Sequence, residues 1–153
     1  MDLESILLEY GKLKNLGKLH LDSHGVCTLL INDNFLITFE KSLDKEGFFV
    51  YAAIGALPVG KEQELSLIAL SGNLFGKETG RANIGYVEQS RSLVLFEYFD
   101  EDTIDYPHFS QRFNHFIQHL FYWVVKMEYS DQISNHSSLQ NDTKPAHKKI
   151  FYA

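Results

Sequence analysis

The chain has 153 residues, of which 44% are hydrophobic, and its formal net charge is −6. This length fits one globular domain, and the acidic balance argues against a nucleic-acid backbone as the main ligand. No apolar run approaches the ~18 residues of a membrane span, and Asp2 and Glu4 stand where a secretory signal would carry lysines. The single cysteine, Cys27, cannot form an internal disulfide, so we expect a reducing compartment such as the cytosol.

The chain begins with a predicted amphipathic helix over residues 3–16. Its apolar residues recur at steps of three and four, with Asp2 as N-cap and Gly17 as the stop. Two strands are predicted next, at 26–31 and 35–41, because an Asn-Asp-Asn turn separates two apolar runs. These strands are expected to pair as a hairpin.

The third predicted strand, FFVYAAIGALP at 48–58, has almost no polar group on either side. A strand that is wetted on one face should alternate apolar with polar residues. Here Phe48 and Val50 lie on one side, while Phe49 and Tyr51 lie on the other. Both faces of this strand therefore need cover.

The second half of the chain contains two more helices and another hairpin. A helix predicted at 61–75 has large apolar residues around most of its circumference, which predicts burial from several sides. The segments 82–88 and 92–99 are predicted to pair. A third helix, at about 107–129, carries an aromatic stripe at three- and four-residue steps, and this stripe is expected in the core.

The final segment, 130–153, has no periodicity and few large apolar residues before Ile150, Phe151 and Tyr152. Its composition predicts a disordered tail, so the folded domain is expected at 1–129. A docking segment, for an export component or for the chain's own sheet edge, is the alternative. The residues that precede the aromatic end are basic: Lys144, His147, Lys148 and Lys149.

The predicted order is helix, three strands, helix, two strands, helix. This order indicates an α+β fold in which one twisted antiparallel sheet packs with three helices. Three helices are too few to cover both faces of five strands. Leaving ~400 Å² of apolar surface in water would cost ~10 kcal/mol at ~25 cal/mol/Å². We therefore expect another polypeptide to cover part of the sheet and much of the second helix.

No arrangement of residues indicates an active site, a cofactor or a metal site. His115 and His119 stand one helical turn apart, which suits a shared zinc ion, but no third ligand lies nearby in sequence. The Gly-Lys-Glu-Thr-Gly stretch at 76–80 follows a helix, where a phosphate loop would follow a strand. Solvated histidines and a helix-ending turn are the simpler interpretations, and a zinc enzyme stays the alternative.

Several short stretches, in their order and spacing, resemble the effector-specific (class I) chaperones of bacterial type III secretion, the Tir chaperone family. The resemblance runs from about Leu3 to Tyr129 and includes the closing PHFSQRFNHFIQHLFYW. The stretches that match the family's pattern most closely are Gly25-Val26-Cys27-Thr28-Leu29 with Ile31 and Asp33, Leu57-Pro58, and Asn73-Leu74-Phe75-Gly76.

The resemblance implies a homodimer in the bacterial cytoplasm, without enzymatic activity, that holds the N-terminal region of one or more secreted effectors extended and delivers it to the secretion apparatus. Contact with the secretion ATPase or sorting components is also implied. The dimer contact expected from the family comprises Leu65, Ile68, Leu70, Leu74, Leu93 and Leu95. The expected effector-binding residues are Leu13, Leu16, Leu19, Leu30, Phe35, Ile37, Phe49 and Tyr51. A regulatory protein of the same fold, binding a transcription factor or polymerase subunit, is the alternative.

Overall fold

The computed structural model describes the backbone of residues 1–141 and the side chains of residues 1–132. The predicted α+β fold class is confirmed, with the helices and strands in the predicted order. The elements are α1 Leu3–Leu13, β1 Val26–Ile31, β2 Phe35–Lys41, β3 Phe48–Ala56, α2 Glu62–Asn73, a 3-10 turn Leu74–Gly76, β4 Asn83–Val87, β5 Ser92–Phe99 and α3 Tyr106–Asn141.

The strands form one antiparallel sheet in the order β1-β2-β3-β5-β4. The first hairpin thus supplies one edge strand, β1, and the second hairpin supplies the other, β4. β5 lies inside the sheet between β3 and β4, although it comes last in the chain. Its position decides which residues of the second hairpin reach the surface.

The core lies between one face of the sheet and the helices α1 and α3. Side chains that alternate along the strands, among them Ile37, Phe39 and Val50, are buried against the aromatic stripe of α3. Phe109 and Phe113 of that stripe stack on each other with ring centroids 5.4 Å apart. Ridges of large apolar side chains at helical spacing therefore fill the space above the pleated sheet, as the sequence predicts.

α3 continues well beyond its predicted end. The structure shows helix to Asn141, so the helix extends into the segment 130–153 that the sequence predicts as a tail. No glycine or proline occurs between Pro107 and Pro145 to stop the helix. The remainder of the predicted tail, 142–153, lies outside the described residues. Within the described part, no helix combines the length and apolarity that crossing a bilayer requires.

α2 is covered on one side only, whereas the sequence predicts burial from several sides. Leu65, Ala69 and Gly72 are buried, and Gly72 lies so close to Trp123 of α3 that a β-carbon there would clash with the indole ring. Leu67 and Leu70, on the other side of α2, are exposed. Of the leucines spread around α2, one group therefore lies in the core and the other is exposed to solvent.

A buried ion pair fixes α3 to the centre of the sheet. Glu97 of β5 points into the core and accepts a 2.8 Å hydrogen bond from Arg112 Nε. Arg112 Nη2 also donates to the Tyr98 carbonyl at 2.8 Å, and the guanidinium lies 4.1 Å from the centroid of the Phe99 ring. Burial raises the pKa of Glu97 above its ordinary 4.5, although Arg112 opposes the shift. The carboxylate is thus tolerated because its partner is in place.

Replacing Arg112 with Met should destabilise the fold by about 3–5 kcal/mol, since it leaves Glu97 buried and unpaired. A carboxyl whose pKa is raised in the folded state favours folding at low pH and loses that effect as the pH rises. The stability of Arg112→Met should therefore increase as the pH falls toward 4.5, the ordinary pKa of a glutamate. Urea unfolding at several pH values measures this.

The double variant Arg112→Met/Glu97→Gln is the control for that experiment. It should recover much of the lost stability and lose the pH dependence, because the buried charge is gone. A single variant as stable as the original chain would show that the pair does not anchor α3.

Candidate functional site

The sheet face opposite the helices is lined with apolar side chains, and we call it the open face. It is formed by alternate residues of the strands, which are exposed or half-exposed in the structure. The registers align them in rows across the strands. The open face comprises Thr28, Leu30, Leu36, Thr38, Glu40, Phe49, Tyr51, Ala53, Gly85, Val94, Phe96 and Tyr98.

A hollow of about 320 Å³ lies on the open face. Val94 pairs with Ala53 on one side and Gly85 on the other, so one row consists of small residues. The neighbouring row places Tyr51 opposite Phe96, and both of these large side chains line the hollow. Gly85 and Val94 of the small row also line the hollow, so its lining combines small and large side chains.

Polar and charged groups of Tyr51, Glu40 and Lys45 lie beside the hollow. The Tyr51 hydroxyl donates a 2.7 Å hydrogen bond to Glu40 Oε2. Burial, with the Glu40 carboxylate beside it, raises the pKa of Tyr51 to about 12. Tyr51 therefore stays neutral at physiological pH. Lys45 Nζ lies 4.2 Å from the centroid of the Tyr98 ring, a cation–π contact that places a positive charge at one end of the open face.

Three of the expected effector-binding residues, Leu30, Phe49 and Tyr51, lie on the open face. Ile37 does not, because its side chain is 0% exposed and faces the core, whereas its neighbour Leu36 is 65% exposed. Successive residues of a strand point to opposite faces, so an error of one position exchanges core for surface. Phe35 shares the core-facing side, where it meets Phe121 of α3 at a ring-centroid distance of 6.4 Å.

The other expected residues lie at the end of α1 and in the connection that follows. Leu13 and Leu16 are exposed, and Leu19 is half-buried against Gly11. This site, the α1 end, is formed by different elements from the open face. The eight expected residues therefore divide among the open face, the α1 end and the helix side of the sheet.

A second apolar surface lies on α2 and the adjoining edge of the sheet, and we call it the α2 surface. It comprises Leu67, Leu70, Leu74, Phe75 and Tyr86, each of them exposed. A cavity of about 210 Å³ between α2 and β4 opens on this surface. Asn73 Oδ1 accepts a 2.8 Å hydrogen bond from the Ile84 amide, so the end of α2 is attached to the edge strand.

Phe75 is the most unusual residue of the α2 surface. It is 99% exposed, and its backbone has a φ of +56°, in the left-handed region that bulky residues rarely adopt. The following loop is held to α3, because Glu78 accepts hydrogen bonds from Lys126 and Tyr122 at 2.8 Å and its carbonyl accepts one from Trp123 Nε1 at 2.9 Å. A strained conformation that exposes an aromatic ring is a mark of a contact site.

The expected dimer residues fall into two groups. Leu70 and Leu74 lie on the α2 surface, and Ile68 is half-buried beside it. Leu65, Leu93 and Leu95 are buried in the core of this chain, so they do not reach a partner in this arrangement. Leu93 and Leu95 are on the helix side of the sheet, and Leu65 is on the buried side of α2.

Sequence reasoning missed Leu36, Phe96, Phe75 and Tyr86. Leu36 and Phe96 could have been found from the sequence, because β2 and β5 each have apolar residues at both odd and even positions. The signal for Phe75 was its place in Asn-Leu-Phe-Gly, a helix-ending pattern that exposes what precedes the glycine. Nothing in the sequence marks Tyr86 as an edge residue.

The residues considered for catalysis or metal binding lie apart from these surfaces. His115 is exposed and His119 is half-buried beside Gly80. In the part of the chain that the structure describes, no three or more His, Cys, Asp or Glu side chains are grouped to hold a metal ion. Cys27 is buried in β1, and burial raises the pKa of its thiol, which opposes formation of the nucleophilic thiolate.

Comparison with known proteins identifies the family. Residues 5–124 match the Tir chaperone protein (CesT) family, so the chain belongs to this family of chaperones. The Chlamydia pneumoniae protein CPj0713/CpB0740 is 30% identical over 103 residues, which are 66% of this chain and 78% of the relative.

Solved structures show the same fold in complexes. The HopA1–SchA chaperone–effector complex contains a chain that aligns with a TM-score of 0.65 at 16% identity, covering 79% of this chain and 91% of that one. The Yersinia pestis type III secretion chaperone SycH, in complex with a fragment of YscM2, aligns with a TM-score of 0.61 at 13% identity, covering 78% of this chain and 98% of that one.

The opposite orientation of Leu36 and Ile37 provides a direct test of the open face. Ile37→Ala should cost about 2–5 kcal/mol of unfolding free energy, because it leaves a cavity in the core. Leu36→Ala should change stability by about 0.5 kcal/mol or less, since the side chain is in water. Denaturant unfolding of the two variants measures the difference. Equal losses of unfolding free energy would show that the register of β2 is wrong.

Proposed function

We propose that this type III secretion chaperone holds the N-terminal segment of a secreted effector against the open face and the α1 end. The observation that carries the proposal is the open face, most of whose side chains are apolar, with its hollow beside Tyr51 and Phe96. Large exposed apolar patches mark binding surfaces. The chain acts by binding alone, in the bacterial cytoplasm, and delivers its client to the secretion apparatus.

The shape of the sheet supports binding of an unfolded segment and not of a folded domain. Apolar side chains of the client fit the hollow, where Gly85 and Val94 leave room beside Tyr51 and Phe96. The edge strand β1 has backbone donors and acceptors on its outer side, which an extended segment can pair with. Leu13 and Leu16 at the α1 end give the same segment a second apolar contact.

Leu36→Asp tests this assignment. Leu36 is exposed, so the variant should fold normally, while a charge on the open face should weaken effector binding at least about tenfold, or ~1.4 kcal/mol. The measurement is co-purification and titration with tagged N-terminal segments of secreted effectors from the same bacterium. Leu43→Asp, which places the same charge at a 95% exposed turn position, is the matched control.

Full binding by Leu36→Asp, together with full binding by Leu43→Asp, would show that the client does not use the open face. Loss of binding by both variants would point to a general charge effect and would also contradict the assignment.

We propose further that two copies of the chain associate through the α2 surface. Leu70, Leu74 and Phe75 project from the end of α2 as an apolar group, and the cavity between α2 and β4 lies next to them. In a two-fold dimer each surface meets its own copy, so these projections and cavities face each other. Burial of Phe75 also gives its strained backbone a compensating contact.

Leu70→Asp should convert the dimer to a folded monomer. The side chain is 63% exposed in the single chain, so the charge harms folding little but is costly in an apolar interface. Light scattering should change from twice 17.6 kDa to that single mass, while circular dichroism stays unchanged. Leu43→Asp again serves as control. A variant that keeps the double mass would place the interface elsewhere.

The regulatory alternative, binding of a transcription factor or polymerase subunit, has no observation in its favour. The fold and both apolar surfaces suit the chaperone role as they stand. Contact with the secretion ATPase or sorting components belongs to the delivery step of the proposal.

A further inference from the structure

A third apolar site, smaller than the others, lies between the end of β3 and the later part of α3. It is a cavity of about 190 Å³, and its lining includes the buried residues Leu57, Leu65 and Met127. Two acidic residues of α3, the exposed Glu128 and the half-buried Asp131, complete the lining. The cavity therefore suits an apolar side chain that is accompanied by positive charge.

The size of this cavity limits what can occupy it. It is below the ~300–1,000 Å³ of typical ligand pockets, and an amphipathic helix would need a longer groove. A cavity of this volume has room for one or two side chains of a short segment. The site lies on the helix side of the sheet, apart from the open face, and its lining contains no residue of the α2 surface.

The end of this chain has the complementary chemistry. Ile150, Phe151 and Tyr152 are three consecutive large side chains, and Lys148 and Lys149 directly precede them. The pairing of basic residues with Glu128 and Asp131 would place opposite charges together at the mouth of the cavity while the aromatic side chains enter it.

The distance along the chain permits this contact. α3 runs ten residues from Asp131 to Asn141, a length of about 15 Å at 1.5 Å per residue. From Asn141 to Phe151 there are ten more residues, which span up to about 33 Å when extended. The segment after the helix is thus long enough to return along α3 to the cavity.

We propose that Ile150–Tyr152 docks into this cavity of its own chain, with Lys148 and Lys149 beside Glu128 and Asp131. Because the segment is tethered, its effective concentration at the cavity is in the millimolar range, well above that of a free competitor. The docked segment covers the buried apolar lining and fastens the chain end to the β3–α2 junction. This inference does not depend on the chaperone role.

A disulfide-trapping experiment in the full chain tests the docking. Met127→Cys lines the cavity, and Tyr152→Cys leaves Phe151 in place. This pair should close within one chain about tenfold faster than the control pair Leu43→Cys/Tyr152→Cys, since docking raises the local concentration at the cavity but not at the distant turn. Mass spectrometry identifies the linked positions, and Cys27 is buried in both variants.

Equal rates of closure for the two pairs would overturn the proposal. A disulfide that joins two chains, detected at twice the monomer mass, would also overturn it, because a second copy would then be the occupant.

Tryptic cleavage after Lys148 and Lys149 gives an independent measurement that leaves the tail unchanged. In Glu128→Gln/Asp131→Asn, cleavage should be about threefold faster than in the original chain, the scale expected for two exposed ion pairs. Glu9→Gln/Asp44→Asn removes the same formal charge far from the cavity and should leave the rate unaltered. Equal rates in all three proteins would show that the acidic residues do not hold the tail.

Discussion

The helices of this chain cover one face of its sheet, and the pleat of the strands places half of the side chains on the other. The aromatic stripe of α3 fills the covered face, and the Glu97–Arg112 pair fixes its position over β5. On the uncovered face most of the alternate residues are also apolar, so the chain does not cover all of its apolar surface by itself. This imbalance is the physical basis of everything that we propose about binding.

The two large apolar surfaces differ in construction, and this difference suits different partners. The open face is the surface of a sheet with a hollow between small and large residues, which suits the side chains of the extended segment that we propose as its client. The α2 surface is a projection, with Leu70 and Phe75 standing out from a helix end that Glu78 fastens to α3. A projection beside a cavity suits the dimer that we propose, because a two-fold axis would bring the projection of each copy to the cavity of the other.

The cavity beside Glu128 and Asp131 adds a site whose proposed occupant belongs to the chain itself. Membership of the Tir chaperone protein (CesT) family accounts for residues 5–124, whereas these acidic residues and the later turns of α3 lie beyond that match. The proposed tail contact therefore joins residues outside that match to Leu57 and Leu65, which lie inside it. The open face, the α2 surface and the cavity share elements but no residues, so each can be tested with its own substitutions.

The sequence by itself determined the order of helices and strands, the aromatic stripe of α3 and the excess of apolar residues in FFVYAAIGALP, because these follow from local periodicity. Only the tertiary structure decided that Ile37 is core while Leu36 is surface, and that β4 is the edge strand while Leu95 of β5 is buried. Strand register and strand order depend on contacts between residues far apart in the chain. A local pattern with apolar residues on both faces is compatible with either orientation, so packing against α3 makes the choice.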